Sequence, residues 1–328
     1  MTEQYDKPFL TYDEMLQLMV SRNLTIPDVD FAKQSLSNYS YYTLVNGYKN
    51  SHIMVPNSDN FVTGITFDHL YTLHFLDLSI HHILLKYILI IESSLKSHIS
   101  YVVSRDFGIF SDLTDRSNLN PKDYLYRDNY QNSSKRNNTL KILKVRLIDS
   151  SKSESLNYYR NHHNHIPPWI LTTALSFGNC IMWFASLKPA QKEYVCECFI
   201  PINLPVNDKK DYLLSALEFL CQFRNKIAHG SRTFSLEINH CIPRKLFLQL
   251  SGGILNESEV KKSKYKNGLL GAISIILSLL NDKYMIASMM SDLYNVLSPY
   301  CSEEQKINGS TILELFSLPD DLFRRFGI

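Results

Sequence analysis

Residues 66–105 read TFDHLYTLHFLDLSIHHILLKYILIIESSLKSHISYVVSR, forty positions without a glycine or a proline. Leucine and isoleucine recur at three and four residues, the spacing that lines one face of an α-helix. The stretch predicts a long central helix from Thr66 to about Arg105, and with it an all-α helical bundle.

The flanks fit that expectation. Thr11 followed by Glu14 forms a capping box for a helix over 12–22. A second short helix near 28–37 leads into the aromatic segment LSNYSYYTLVNGY at 36–48. Residues 106–135 are rich in Asn and Asp and contain Gly108 and Pro121, so they read as loop. A basic helix is expected at about 139–160. Pro167 and Pro168 open a helix over 168–187, and Pro189 opens the next. Pro201 and Pro205 end that one, and a helix over 209–229 follows with Gly230 at its C-cap position. TFSLEI and KLFLQL read as a short strand pair near 233–250, and two or three helices close the chain. The expected organisation is a helical accessory segment over 1–65, a helical core over 66–235 and a mostly helical extension over 236–328.

Composition removes several function classes. Of 328 residues 45% are hydrophobic and 20% charged, which is the balance of a folded globular chain. Glycine occurs only 11 times and forms no phosphate-cradling loop, against a Rossmann or P-loop enzyme. The net charge of +2 is too small to indicate a nucleic-acid partner, so any such signal must come from local clustering. Cys180, Cys196, Cys198, Cys221, Cys241 and Cys301 form no CxxC pair and read as free thiols of a reducing compartment. The opening MTEQYDKPFLTYDE lacks the apolar run of a signal peptide. The run GLLGAISIILSLL at 268–280 is too short to span a bilayer. The expectation is a cytoplasmic protein without membrane attachment or cofactor.

The chemistry concentrates in residues 217–232, LEFLCQFRNKIAHGSR. On a helical wheel Leu213, Leu217, Leu220 and Ile227 form one stripe, and Arg224 falls inside it. A guanidinium there is costly unless a carboxylate, a phosphate or a subunit cleft receives it. Asn225 and His229 are four residues apart and neighbour each other on the adjoining face. A histidine beside a fixed cation suits acid–base chemistry on a phosphodiester. The bland reading is that Arg224 and His229 are capping cations in the last turn, where the helix dipole favours positive charge.

The string RNKIAH, followed by Gly-Ser-Arg, resembles the Arg–four residues–His motif of HEPN-domain ribonucleases. Other segments resemble the Abi-like (abortive infection, phage resistance) family within that group. They are residues 7–24, 36–48 and 66–99, and PPWILTTALSFGNC at 167–180 with Trp169 and the Ser176-Phe177-Gly178 turn. The resemblance is collinear over roughly residues 7–235. It implies a helical bundle that dimerises so that two motifs face each other across a composite cleft, and metal-independent cleavage of RNA. On this chain Arg224 would hold the scissile phosphate, His229 would be the general acid–base group, and Asn225 would orient His229 or bond the phosphate. The products would be a cyclic phosphate and a 5′-hydroxyl.

Glu92 interrupts the apolar run ILIIESSL and precedes Lys96 in the favoured order for an ion pair. It reads either as a solvated pair or as a support for Arg224; relatives commonly carry Arg where this chain has Lys96. Residues 121–146 hold seven cations, Lys122, Arg127, Lys135, Arg136, Lys141, Lys144 and Arg146, with Tyr124, Tyr126 and Tyr130 interleaved. Cations neutralise phosphates and tyrosines stack on bases, so Lys135, Arg136, Lys141, Lys144 and Arg146 are expected RNA contacts, together with Arg232. A second basic stretch is Lys261, Lys262, Lys264 and Lys266. His162, His163 and His165 lie in an Asn-rich loop without a carboxylate set, a weak metal signal, and no metal site is expected. The first expectation is therefore an anti-phage RNA-cleaving effector of toxin type acting as a homodimer. The rival is a non-catalytic module that holds a small regulatory non-coding RNA, and a third reading is nucleotide transfer in a toxin–antitoxin pair.

Overall fold

A computed structural model describes residues 7–52, 59–149 and 153–327. The first six residues, part of the opening stretch read against a signal peptide, lie outside that set. The elements are helical: α1 (Tyr12–Ser21), α2 (Val29–Tyr39), α3 (Phe67–Phe107), α4 (Arg136–Asp149), α5 (Glu154–His162), α6 (Pro168–Leu171), α7 (Phe177–Ser186), α8 (Pro189–Phe199) and α9 (Val206–Ala228). Beyond them come α10 (Arg244–Leu250), α11 (Glu257–Val260), α12 (Ser263–Lys266), α13 (Leu269–Leu279), α14 (Lys283–Leu297), α15 (Ile312–Leu315) and α16 (Leu322–Phe326). Among the described residues the only β-pairings are isolated bridges, Thr25 with Thr66 and Ile307 with Ser310. The fold is all-α.

The 41-residue helix α3 follows from its sequence. Thr66 caps it, its hydroxyl accepting from the His69 N–H at 3.2 Å. Leu70, Leu73, Leu76, Ile80, Leu84, Ile88, Ile91, Leu95 and Ile99 are all buried at the predicted spacing. By length and composition alone α3 could cross a membrane. Here its apolar stripe is packed against protein, and that burial, more than helix propensity, stabilises it.

Four local expectations need correction. Beyond residue 266 the described residues hold four helices, α13 to α16, where two or three are expected. The single basic helix expected over 139–160 is two helices, α4 and α5. The second is started by Ser153, whose hydroxyl accepts from the Leu156 N–H at 3.3 Å; residues 150–152 lie outside the described set. The helix expected over 168–187 is interrupted at Leu175, which is extended. Ser176 restarts it through a capping box with Asn179, because reciprocal side-chain bonds satisfy two free N–H groups at the new terminus. Finally, the strand pair expected near 233–250 does not form. Thr233–Ser235 is a 3-10 turn and Arg244–Leu250 is the helix α10, whose Leu246 and Phe247 are buried. Alternating β propensity loses there to burial of one helical face.

The chain divides into two compact units: Met1–Ile83 with Ser231–Leu236 and Met290–Ile328, and Leu84–Gly230 with Glu237–Met289. The first unit has a polar centre. Asp77, on α3, is 6% exposed and accepts from the Thr233 N–H at 2.8 Å, the Thr233 hydroxyl and the Tyr48 hydroxyl at 3.1 Å. Burial raises the Asp77 carboxyl above the usual range, against those three donors. Arg232 lies over the Tyr48 ring at 5.4 Å, and Phe234 stacks on that ring at 5.4 Å. Arg232, expected as an RNA contact, is thus engaged in packing.

His52 is fully buried in the same unit, with no hydrogen-bond partner for either ring nitrogen among the described residues. Burial, with a smaller contribution from His69, pushes its imidazole down to about 4. The unfolded chain therefore binds the His52 proton first, near the ordinary histidine value. Stability is present above that value and is lost as pH falls toward about 4, at a cost of about 3 kcal/mol. Thermal unfolding followed across this range should shift to lower temperature on acidification, and His52→Leu should reduce the shift. An unchanged slope in that variant would refute the assignment.

In the second unit α9 packs against α7, α8 and α13, and α4 packs against α7. Helix α13 is buried from Leu269 to Leu277. A side chain at Gly271 would meet the Lys266 carbonyl oxygen at 1.9 Å, so close backbone approach requires glycine there.

Candidate active site at the end of helix α9

Helix α9 starts after Pro205 and ends where Gly230 adopts a left-handed conformation, φ +83°. The Gly230 N–H closes on the Ile227 carbonyl at 2.9 Å, and the His229 N–H on the Asn225 carbonyl at 3.2 Å. The glycine therefore sets where the helix stops and where His229 stands. Tyr212, Leu213, Ala216, Leu217, Leu220, Phe223 and Ile227 are buried along the inner face.

Arg224 continues that face but emerges at its edge, its side chain 31% exposed. Among the described residues the nearest carboxylate is Glu92 of α3, with Oε2 3.8 Å from Arg224 Nη2. The Glu92 side chain is 8% exposed, and its other oxygen pairs with Lys96 at 2.8 Å. The two alternatives for Glu92 thus merge into one buried carboxylate shared by two cations. Oε2 has no hydrogen-bond partner among the described residues, and the charge of Arg224 compensates it across a gap longer than a hydrogen bond.

Arg224 Nη1 donates to Asn225 Oδ1 at 3.0 Å. The Asn225 amide faces Cys221 Sγ at 3.9 Å. Asn225 therefore supports Arg224 here and makes no hydrogen bond to His229. The His229 side chain is exposed and has no partner among the described residues. One turn of helix end thus presents a braced guanidinium and an unengaged imidazole to solvent. Burial pushes the Cys180 and Cys196 thiols up to about 12, so neither is a ready nucleophile near neutral pH.

The basic segment divides sharply. Lys135, Lys141 and Arg146 are exposed. Arg136 is half-buried, donates to Asn137 and lies 3.8 Å from Asp128. Lys144 is 1% exposed and pairs with fully buried Asp123, and it donates to the Asp112 carbonyl at 2.9 Å. It is a core residue, contrary to its expected role at an RNA surface. Tyr124 and Tyr130 are also buried, with Tyr130 accepting from the Trp183 indole at 3.1 Å, so neither can stack on a base. A lysine and two tyrosines inside a basic segment carry no sequence mark of burial; only the acid partner Asp123 hints at it. Asp77 escapes a sequence reading too, although it interrupts the apolar run FLDLSI as Glu92 interrupts its own. His162 stacks on Tyr158 at 4.5 Å, and His163 packs at a tilt against Tyr159 at 4.4 Å.

No curated protein and no solved structure matches the chain. A family match is found, and it spans α3 and the whole of α9 with the Arg224–His229 turn. Residues 34–235, well over half of the chain, match the family described as Abi-like protein, and the chain belongs to that family.

Proposed function

We propose that the chain acts in abortive infection as a metal-independent endoribonuclease, with Arg224 and His229 at the reacting phosphate. Membership of the Abi-like family supports the abortive-infection role. The observation that carries the nuclease reading is the end of α9. A guanidinium braced from beneath by Glu92 stands at the rim, and the imidazole five residues on is exposed and without a partner among the described residues.

In this reading the ribose 2′-oxygen attacks the adjacent phosphorus, and the bond from phosphorus to the 5′-oxygen breaks. The 2′-proton leaves through a histidine, and a histidine returns a proton to the departing 5′-oxygen, which leaves a cyclic phosphate and a 5′-hydroxyl. Arg224 offers two parallel N–H donors to the equatorial oxygens as their charge grows. Asn225 holds the guanidinium plane, since its Oδ1 accepts one Nη1 hydrogen and leaves the other N–H groups for the phosphate. Two facing copies of the motif would supply separate histidines for the two proton transfers. Light scattering on the cleaving sample should therefore report a dimer, and a monomer would sink the paired form.

The test is incubation of purified protein with total RNA in excess EDTA, followed by end-group analysis. Cleavage leaving cyclic phosphate ends is the expected result. RNA that co-purifies but is never cut would overturn the nuclease reading and support a module that holds a small RNA.

A further inference from the structure

The loop before α4 and the first turns of α4 enclose a pocket of about 200 Å³. Arg116, Asn118 and Arg127 line it from the loop, and Asn137 and Lys141 line it from the helix. Among the described residues no acidic side chain lines it. Arg116 is held bidentately by Asp149, at 2.8 Å for both contacts, and Arg127 Nε lies 3.7 Å from Asp128. Lys141 is exposed and pairs with no carboxylate among the described residues.

Asn118 is 4% exposed, and its Nδ2 has no hydrogen-bond partner among the described residues. A buried amide without an acceptor is costly, and an oxygen supplied by a ligand would remove that cost. The surrounding loop is held in place by its own bonds. The Asn118 carbonyl accepts from the Arg127 N–H at 3.0 Å. The Asp115 carboxylate takes the N–H groups of Ser117, Leu119 and Asn120 at 2.8, 2.7 and 2.9 Å. Beneath it the buried Lys144–Asp123 pair ties the Asp112 backbone to α4.

We propose that this pocket seats a phosphoryl group, with Asn118 bonding one oxygen and Lys141, Arg127 and Arg116 supplying the charge. Exposed ion pairs are weak, so Arg116 and Arg127 can exchange a carboxylate for a phosphate at small cost. The group is a backbone phosphate of an RNA strand or the phosphate of a free nucleotide. In the first case the inference rests on the RNA reading of the protein and adds to it a second contact point away from the α9 turn.

The experiment uses the full chain carrying His229→Ala, so that bound RNA stays intact. Binding of a short labelled single-stranded RNA is followed by anisotropy at several salt concentrations, and binding of adenosine monophosphate by calorimetry. Lys141→Gln, Arg127→Gln and Asn118→Asp are compared with Lys261→Gln, an exposed lysine outside the pocket, and circular dichroism checks each fold. If the seat holds a strand phosphate, each pocket variant weakens RNA binding about five-fold, and each lost cation lowers the salt slope by about 0.7, while Lys261→Gln does neither. If it holds a free nucleotide, adenosine monophosphate binds the parent and the three variants lose it. Variants that bind both probes as the parent does, or a parent that binds neither, would overturn the proposal. Failure of the wild type to cut RNA leaves these binding results unchanged, so the two readings can fail separately.

Discussion

His229→Ala is expected to lower RNA cleavage in EDTA by about 10²- to 10⁴-fold, the range for loss of a positioned acid–base group. That corresponds to about 3–5.5 kcal/mol of lost transition-state stabilisation. Stability should barely change, because the imidazole is exposed and unpartnered among the described residues. Arg224→Ala should cost about 10²- to 10³-fold by removing donors aimed at developing charge. This variant also leaves Glu92 with Lys96 alone, so its unfolding free energy must be measured beside its rate. Arg224→Lys separates the two roles. It keeps the compensating charge near Glu92 but loses the planar fork, so stability should survive while cleavage stays low. Wild-type rates in His229→Ala would sink the assignment, and wild-type rates in Arg224→Lys would reduce Arg224 to a helix-end cation.

Lys144→Met should destabilise the fold by about 3–5 kcal/mol, since it strands a fully buried Asp123. Asp123 also accepts from the Asp112 N–H at 2.9 Å and the Leu125 N–H at 2.7 Å, so it cannot simply turn to solvent. Denaturant unfolding measures the loss. Lys141→Gln, one turn earlier and exposed, should stay within about 0.5 kcal/mol of wild type. Adding Asp123→Asn to Lys144→Met should recover part of the loss, because the uncompensated charge disappears. Unchanged stability with weakened RNA binding in Lys144→Met would restore this lysine to the RNA surface.

Much of the fold is legible in the amino-acid sequence. The periodic leucines of residues 66–105 specify α3, because burial of one helical face repeats at the helical period whatever surrounds it. Prolines and Gly230 mark where helices start and stop, since their backbone restrictions are local. The six-residue string from Arg224 to His229 places both side chains at one helix end for the same reason. Caps are legible only when their residue types match the common pattern. Thr11 with Glu14 matches it, whereas Ser176 has Asn instead of Glu three residues on, so α6 and α7 read as one helix.

What tertiary structure alone decides is which charges are buried and what they meet. Glu92 and Arg224 are 132 residues apart, and nothing local says that the carboxylate lies 3.8 Å from the guanidinium. Lys144 and Lys141 look alike in the sequence, yet one closes a core ion pair and the other faces an open pocket. Burial of a polar group depends on the packing of distant elements, and a local pattern cannot carry it. The sequence by itself determined the long helices α3 and α9 and the place of the Arg224–His229 turn. The fold decided that Arg224 rests on a shared carboxylate, that Asn225 braces the guanidinium and leaves His229 unbonded, and that the basic segment is part core and part surface.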